Sequence, residues 1–181
     1  FLTFGAERLT YDIFNLFVQH TEGEWRFNSI TDFRNGDVDR IYYGNARGTN
    51  NPDDASATFT YDINTVYAQD EWSGPNGLTV IAGLRYDWYS TDDVPNANSN
   101  FLARNGYTNA DSLDGRGLIQ PRLAFTWDAG RDLTVRGGFG LYSGGNPNVW
   151  VSNNFANDGL TAIQLTDRSP DNLLTGPETY T

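Results

Sequence analysis

Leu78-Thr79-Val80-Ile81-Ala82-Gly83-Leu84-Arg85-Tyr86-Asp87-Trp88-Tyr89-Ser90 is the stretch whose reading decides the fold. Its even positions, Leu78, Val80, Ala82, Leu84, Tyr86 and Trp88, are all apolar or aromatic, whereas the odd positions include Thr79, Gly83, Arg85 and Asp87. Side chains alternate faces along an extended chain, so a period of two predicts a strand with one apolar and one polar face. Residues 119–128 repeat the pattern, with Ile119, Pro121, Leu123, Phe125 and Trp127 set against Gln120, Arg122, Ala124, Thr126 and Asp128. Residues 133–143 do so again, with Leu133, Val135, Gly137, Phe139 and Leu141 on the apolar side. Residues 58–72 are also strand-like, but Tyr61 and Ile63 belong to one face and Val66, Ala68 and Trp72 to the other. A β-bulge is expected at that switch of parity. A fifth strand is expected near residues 1–9.

Composition supports an all-β reading. The chain has 181 residues and a net charge of −11; all 12 cations are Arg and 18 of the 23 acids are Asp. Asn and Gly number 19 each and Thr 18, and aromatics make up 14%. Thr and aromatic residues suit pleated surfaces, while Asn, Asp and Gly suit turns. An acidic chain without a basic patch is not built to hold nucleic acid. The absence of Cys excludes disulfides, thiolate metal sites and a cysteine nucleophile. No apolar run approaches the ~20 residues of a membrane helix, but a membrane strand needs only about 9 to 11 residues and hides in alternating sequence.

The connections alternate in length. Ser73-Gly74-Pro75-Asn76-Gly77 and Ala129-Gly130-Arg131-Asp132 read as tight turns, whereas residues 10–57, 91–118 and 144–181 read as long loops that hold most of the acids. Short turns at one end and long loops at the other are the wiring of an outer-membrane β-barrel. Trp72, Trp88, Tyr89, Trp127 and Tyr142 fall near strand ends, where interfacial girdles lie. Periodicity alone leaves open a secreted, soluble β-sandwich or propeller piece that binds carbohydrate through exposed aromatics. The two differ over Val80, Leu84, Phe125 and Phe139, which face lipid in a barrel and a second sheet in a sandwich.

Tyr67-Ala68-Gln69-Asp70-Glu71-Trp72, a tight turn, then Gly83-Leu84-Arg85-Tyr86-Asp87 resembles a hairpin of TonB-dependent outer-membrane receptors. Gln120-Pro121-Arg122-Leu123-Ala124-Phe125 and Val135-Arg136-Gly137-Gly138-Phe139-Gly140, ending in Ser143-Gly144-Gly145-Asn146-Pro147, resemble the next hairpin. Phe14-Asn15-Leu16-Phe17-Val18 and Ile30-Thr31-Asp32-Phe33 are similar to loop segments of the subgroup with an N-terminal carboxypeptidase-regulatory-like domain. The resemblance implies an antiparallel transmembrane β-barrel in the bacterial outer membrane. Such a barrel has about 22 strands closed around a plug and imports a scarce ligand with energy from the inner-membrane TonB complex. Its partners would be the plug and remaining strands, the TonB complex and outer-membrane lipid. Residues 1–181 carry about five strands and neither plug, TonB box nor closing aromatic strand, so they are expected to be one arc of a longer polypeptide.

Candidate site residues follow from the polar faces and the loops. Arg85, Asp87, Arg122, Asp128 and Arg136 lie on the polar faces of neighbouring strands. There they can form a structural ladder of cross-strand charge pairs, or a charged lumen wall that a plug or ligand touches. Asn146, Trp150 and Asn153 fall in a long loop, in the chemistry of a sugar or peptide contact. Asn35, Asp37 and Asp39 alternate as calcium ligands do, with Asp111 and Asp114 as possible additions, but no Glu follows at the EF-hand spacing. His20 is the single His and Tyr142-Ser143-Gly144 lacks the Gly of a nucleophile elbow, so neither an enzyme nor a cofactor is expected.

Overall fold

The computed structural model describes residues 1–130, 132–145 and 147–168. In chain order its elements are β1 (Leu2–Asn15), β2 (Glu24–Arg26), α1 (Ile30–Asn35), β3 (Arg40–Ala46), β4 (Ala57–Ser73), β5 (Leu78–Ser90), α2 (Ser99–Asn105), β6 (Gly117–Gly130), β7 (Leu133–Gly140), α3 (Asn148–Ala156) and β8 (Ala162–Asp167), with short 3-10 turns at Pro52–Ala55 and Pro75–Gly77. They divide into two compact units. Among the described residues, the first contains those within 1–12, 60–93 and 112–145, and the second those within 13–59, 94–111 and 147–168.

The first unit is an antiparallel sheet in the order β1-β4-β5-β6-β7. β4 and β5 pair without interruption from Asp62↔Ser90 to Ser73↔Thr79, so the switch of parity between Ile63 and Val66 comes with no bulge in that pairing. A register shift lies instead between Asp128 and Gly130, where β6 pairs with β7. The parity of β4 changes for another reason. Its odd positions Ala57, Phe59, Tyr61 and Thr65 are buried. Its even positions run Thr58, Thr60, Asp62, Asn64 and then Val66, Ala68, Asp70 and Trp72. One geometric face is therefore polar in the first half of the strand and mainly apolar in the second, where Asp70 near the short-turn end pairs with the N-terminal ammonium of Phe1 (3.3 Å).

The apolar faces of β5 to β7 point away from the protein. Leu84 is 54% exposed, Phe125 38% and Phe139 67%, and Val80 is half-buried. The opposite, polar face holds the buried side chains, Asp87 at 7% and Gln120 at 1%. A soluble sandwich buries its apolar face; this sheet does the reverse, as a strand wall in lipid must. Cross-strand rows assemble the outer belt: Trp72, Val80, Phe125 and Gly137 in one, and Ala82, Leu123 and Phe139 in another that ends on β4 at Asp70. Gly137 is required where it sits, since a Cβ there would lie 2.7 Å from the Phe125 ring that covers it. Trp72 and Trp127 lie toward the short-turn end of the belt, where Asn76 takes a left-handed conformation (φ 59°) next to Gly77.

The second unit occupies much of what reads as loop. β1 continues to Asn15, and the stretches 10–57, 91–118 and 144–168 contain β2, β3, β8 and three helices. β3 is flanked on both sides, by β2 and β8, in a second antiparallel sheet. Ile41, Tyr43, Asn45 and Ala46 are buried, with Ala55, Ala57 and Phe59, and Phe59 stacks on Phe155 at 4.5 Å between ring centroids. Both α1 and α2 start at a side-chain cap (Ser29, Asn98) and end at a left-handed glycine (Gly36, Gly106).

Candidate functional site

The polar face of the strand wall carries one buried network, centred on Asp87. Its Oδ1 accepts from the Thr65 hydroxyl of β4 (2.7 Å) and from Arg85 Nε of its own strand (2.7 Å). Its Oδ2 accepts from Gln120 Nε2 of β6 (2.6 Å) and from the Ser143 hydroxyl beyond β7 (2.9 Å). Gln120 Oε1 in turn accepts from the Ser143 backbone N–H (2.9 Å) and from Arg122 Nη2 (3.3 Å). Arg85 also donates to the Thr65 hydroxyl (2.9 Å) and lies 3.9 Å from Glu7 of β1. The guanidinium of Arg122 rests over the Tyr142 ring, 4.5 Å from its centroid. Elements from β1 to the segment after β7 are thereby tied through one face.

Of the five charged residues expected on this wall, the structure brings together three, Arg85, Asp87 and Arg122. Their coupling differs from a ladder of cross-strand ion pairs: the close pair, Arg85 with Asp87, is within one strand, and the cross-strand partners are the neutral Thr65 and Gln120. Asp128 lies apart, exposed and accepting from the Thr134 hydroxyl (2.9 Å). Arg136 lies opposite Thr126, exposed, and makes no ion pair among the described residues. The network members not singled out by sequence, Thr65, Gln120 and Ser143, are uncharged. The parity of β6 already placed Gln120 beside Arg122 on the polar face, whereas nothing local marks Thr65 or Ser143.

The loop candidates are dispersed. Trp150 sits on α3, not on an irregular loop, and is exposed, as is Asn153. Asn146 lies outside the described residues. Asn35 ends α1 and Asp37 follows its glycine cap, while Asp39 is occupied by Arg40 Nε (2.5 Å) and Asn28 Nδ2 (3.1 Å). Those two bonds, Arg40 first, hold the Asp39 carboxyl below its ordinary range. Asp114 caps the backbone N–H of Thr91. Among the described residues, no three His or carboxylate side chains gather as a metal site would require.

Sequence reasoning missed a second cluster, in the second unit. Asp158 is buried and accepts from the Leu160 and Thr161 backbone N–H groups (both 2.7 Å), the Thr161 hydroxyl (2.6 Å) and Asn96 Nδ2 (3.0 Å). Burial pushes its carboxyl up, but these bonds to the ionised form, led by the Thr161 hydroxyl, outweigh it and hold the group below the usual value. Asn98 donates to the Asp158 carbonyl (2.9 Å), and Asn109 exchanges bonds with residues 96 and 98. The abundance of Asn has this structural use: side-chain amides tie one long segment to another.

An antiparallel wall with an apolar exterior, a hydrogen-bonded polar interior face, short turns at one end and long folded segments at the other defines an outer-membrane β-barrel protein. The sequence matches the family described as an outer membrane beta barrel domain over residues 1–179, and the chain belongs to that family. It resides in the bacterial outer membrane, with its long loops extracellular. No curated protein and no solved structure matches it.

Proposed function

We propose that the chain is part of a TonB-dependent outer-membrane receptor that binds a scarce ligand and admits it to the periplasm, without chemistry on it. The observation that carries this reading is the network around Asp87: a wall facing only bulk water needs no carboxylate that accepts four hydrogen bonds, whereas a lumen packed against a plug or lined for a ligand does. The order and spacing of the hairpin motifs from Tyr67 to Pro147 support it. In this reading the extracellular segments make first contact with ligand through exposed groups such as Trp150 and Asn153, with Asn146 just before them in sequence. The plug, the remaining strands and the TonB complex are the partners.

The experiment is to purify the product of the whole open reading frame in detergent and measure its binding to the soluble C-terminal domain of TonB. Saturable binding that is lost on deleting the segment before the barrel is the expected outcome. An open reading frame encoding no plug, or a product with no affinity for TonB, overturns the receptor reading and leaves a barrel of another class.

A further inference from the structure

Cross-strand register places Gln69, Gly83, Arg122 and Gly140 in one row on the polar face. Arg122 thus has a glycine opposite it on each neighbouring strand. A Cβ on Gly140 would lie 2.9 Å from the Tyr142 ring, so that side is filled by the aromatic on which Arg122 stacks. The Gly83 side is open. A Cβ there would meet nothing nearer than 3.5 Å, and a depression of about 200 Å³ lies over it, lined by Tyr67, Gln69, Arg85 and Arg122.

The two arginines of this notch differ in charge balance. Arg85 has Asp87 at 2.7 Å and Glu7 at 3.9 Å. Arg122 has no carboxylate within ion-pair distance among the described residues. Among the described residues its one hydrogen bond is the long one to the Gln120 amide, and its Nε is shielded from water with no acceptor. A guanidinium held against an aromatic, partly desolvated and without a counter-ion is costly unless an anion completes it. Its planar fork suits the paired oxygens of a carboxylate or phosphate.

We propose that this notch is a subsite for an oxyanion, in which Arg122 supplies the charge, the Gln69 amide supplies a neutral donor, and Gly83 supplies the space. The site needs only the barrel wall and stands independently of energy-coupled import.

The test is calorimetric titration of the full chain in detergent micelles with succinate, inorganic phosphate and, at matched ionic strength, sodium chloride. Saturable binding of succinate or phosphate but not chloride is expected, and which of the two binds distinguishes a carboxylate from a phosphate ligand. Arg122→Gln is expected to weaken it by about tenfold or more, the loss typical of removing a charged partner. Gly83→Val fills the notch without touching any hydrogen bond, and its β-branched side chain suits a strand. It should weaken binding comparably while the strand signal in circular dichroism stays unchanged. No saturable heat from either oxyanion, an equal response to chloride, or undiminished affinity in a folded Arg122→Gln or Gly83→Val variant would overturn the proposal.

Discussion

Asp87 accepts four hydrogen bonds from Thr65, Arg85, Gln120 and Ser143. An ionised carboxylate is acceptor-only, and no neutral side chain of its shape can replace it. Asp87→Asn would turn an NH2 group toward donors and leave at least one of them unsatisfied. The expected loss is ~2–3 kcal/mol of unfolding free energy in urea titrations of the micelle-bound protein. Asp128→Asn keeps an acceptor for Thr134 on an exposed site and is expected to stay within about 0.5 kcal/mol. Equal costs for the two would show that the network is not a stabilising centre. Asp158 gives a pH signature. Its folded pKa lies below the unfolded value of ~3.9, so its contribution is complete above that value and is lost as pH falls through it toward the depressed folded pKa. Hydrogen-exchange protection of the Leu160 and Thr161 amides should therefore hold near neutrality and collapse in that acid window. Asp158→Asn should remove the pH dependence; an unchanged acid profile in the variant would assign it to another group. The contrast between the two aspartates shows what local sequence can reveal. Asp87 stands on a strand whose parity announces a polar face, but its partners Thr65, Gln120 and Ser143 come from other elements, whereas Asp158 bonds its own turn at residues 160–161 and draws only Asn96 from a distant segment.

At the scale of elements, legibility follows the environment on the two sides of a strand. β5, β6 and β7 separate lipid from a polar interior along most of their length, so they alternate, and alternation is visible in a single sequence. β3 is buried and flanked by strands on both edges, so Ile41-Tyr42-Tyr43-Gly44-Asn45-Ala46 shows no period of two and reads as loop. Gly44 fits there because a Cβ would press on the Gln19 carbonyl. β4 lies between these cases: one half of the even face carries Thr58, Thr60, Asp62 and Asn64 and the other Val66, Ala68 and Trp72 with Asp70 among them, a change of surroundings that imitates a bulge. The lipid assignment of the even face of β5 can be tested with one introduced residue on both faces. Leu84→Arg places a charge near the middle of the outer belt and is expected to cost ~2–4 kcal/mol of folding into lipid vesicles. Ile81→Arg lies on the polar face directly opposite Glu71, where the charge gains a partner, and is expected to cost less than about 1 kcal/mol. Reversed costs would invert the faces.

At the scale of the molecule, the wiring sets an orientation. The turns at Pro75–Gly77 and between Gly130 and Leu133 allow little more than chain reversal, while the opposite strand ends lead into segments long enough to build their own sheet and helices. Barrels of the outer membrane keep short turns in the periplasm and long loops outside the cell. Both ends offer sites where an inserted epitope disturbs little. The Gly48 turn between β3 and β4 is exposed, with nothing near its Cβ position, and Asn76 is exposed at the tip of the β4–β5 hairpin. An epitope placed after Gly48 is expected to bind antibody on intact cells. The same epitope after Asn76 should bind only once the outer membrane has been permeabilised, with both versions reaching the membrane in equal amounts. Labelling of the Asn76 insertion on intact cells, with protection of the Gly48 insertion, would reverse the assignment. The folded segments carrying Trp150 and Asn153 would then face the periplasm, where they could not make first contact with an external ligand.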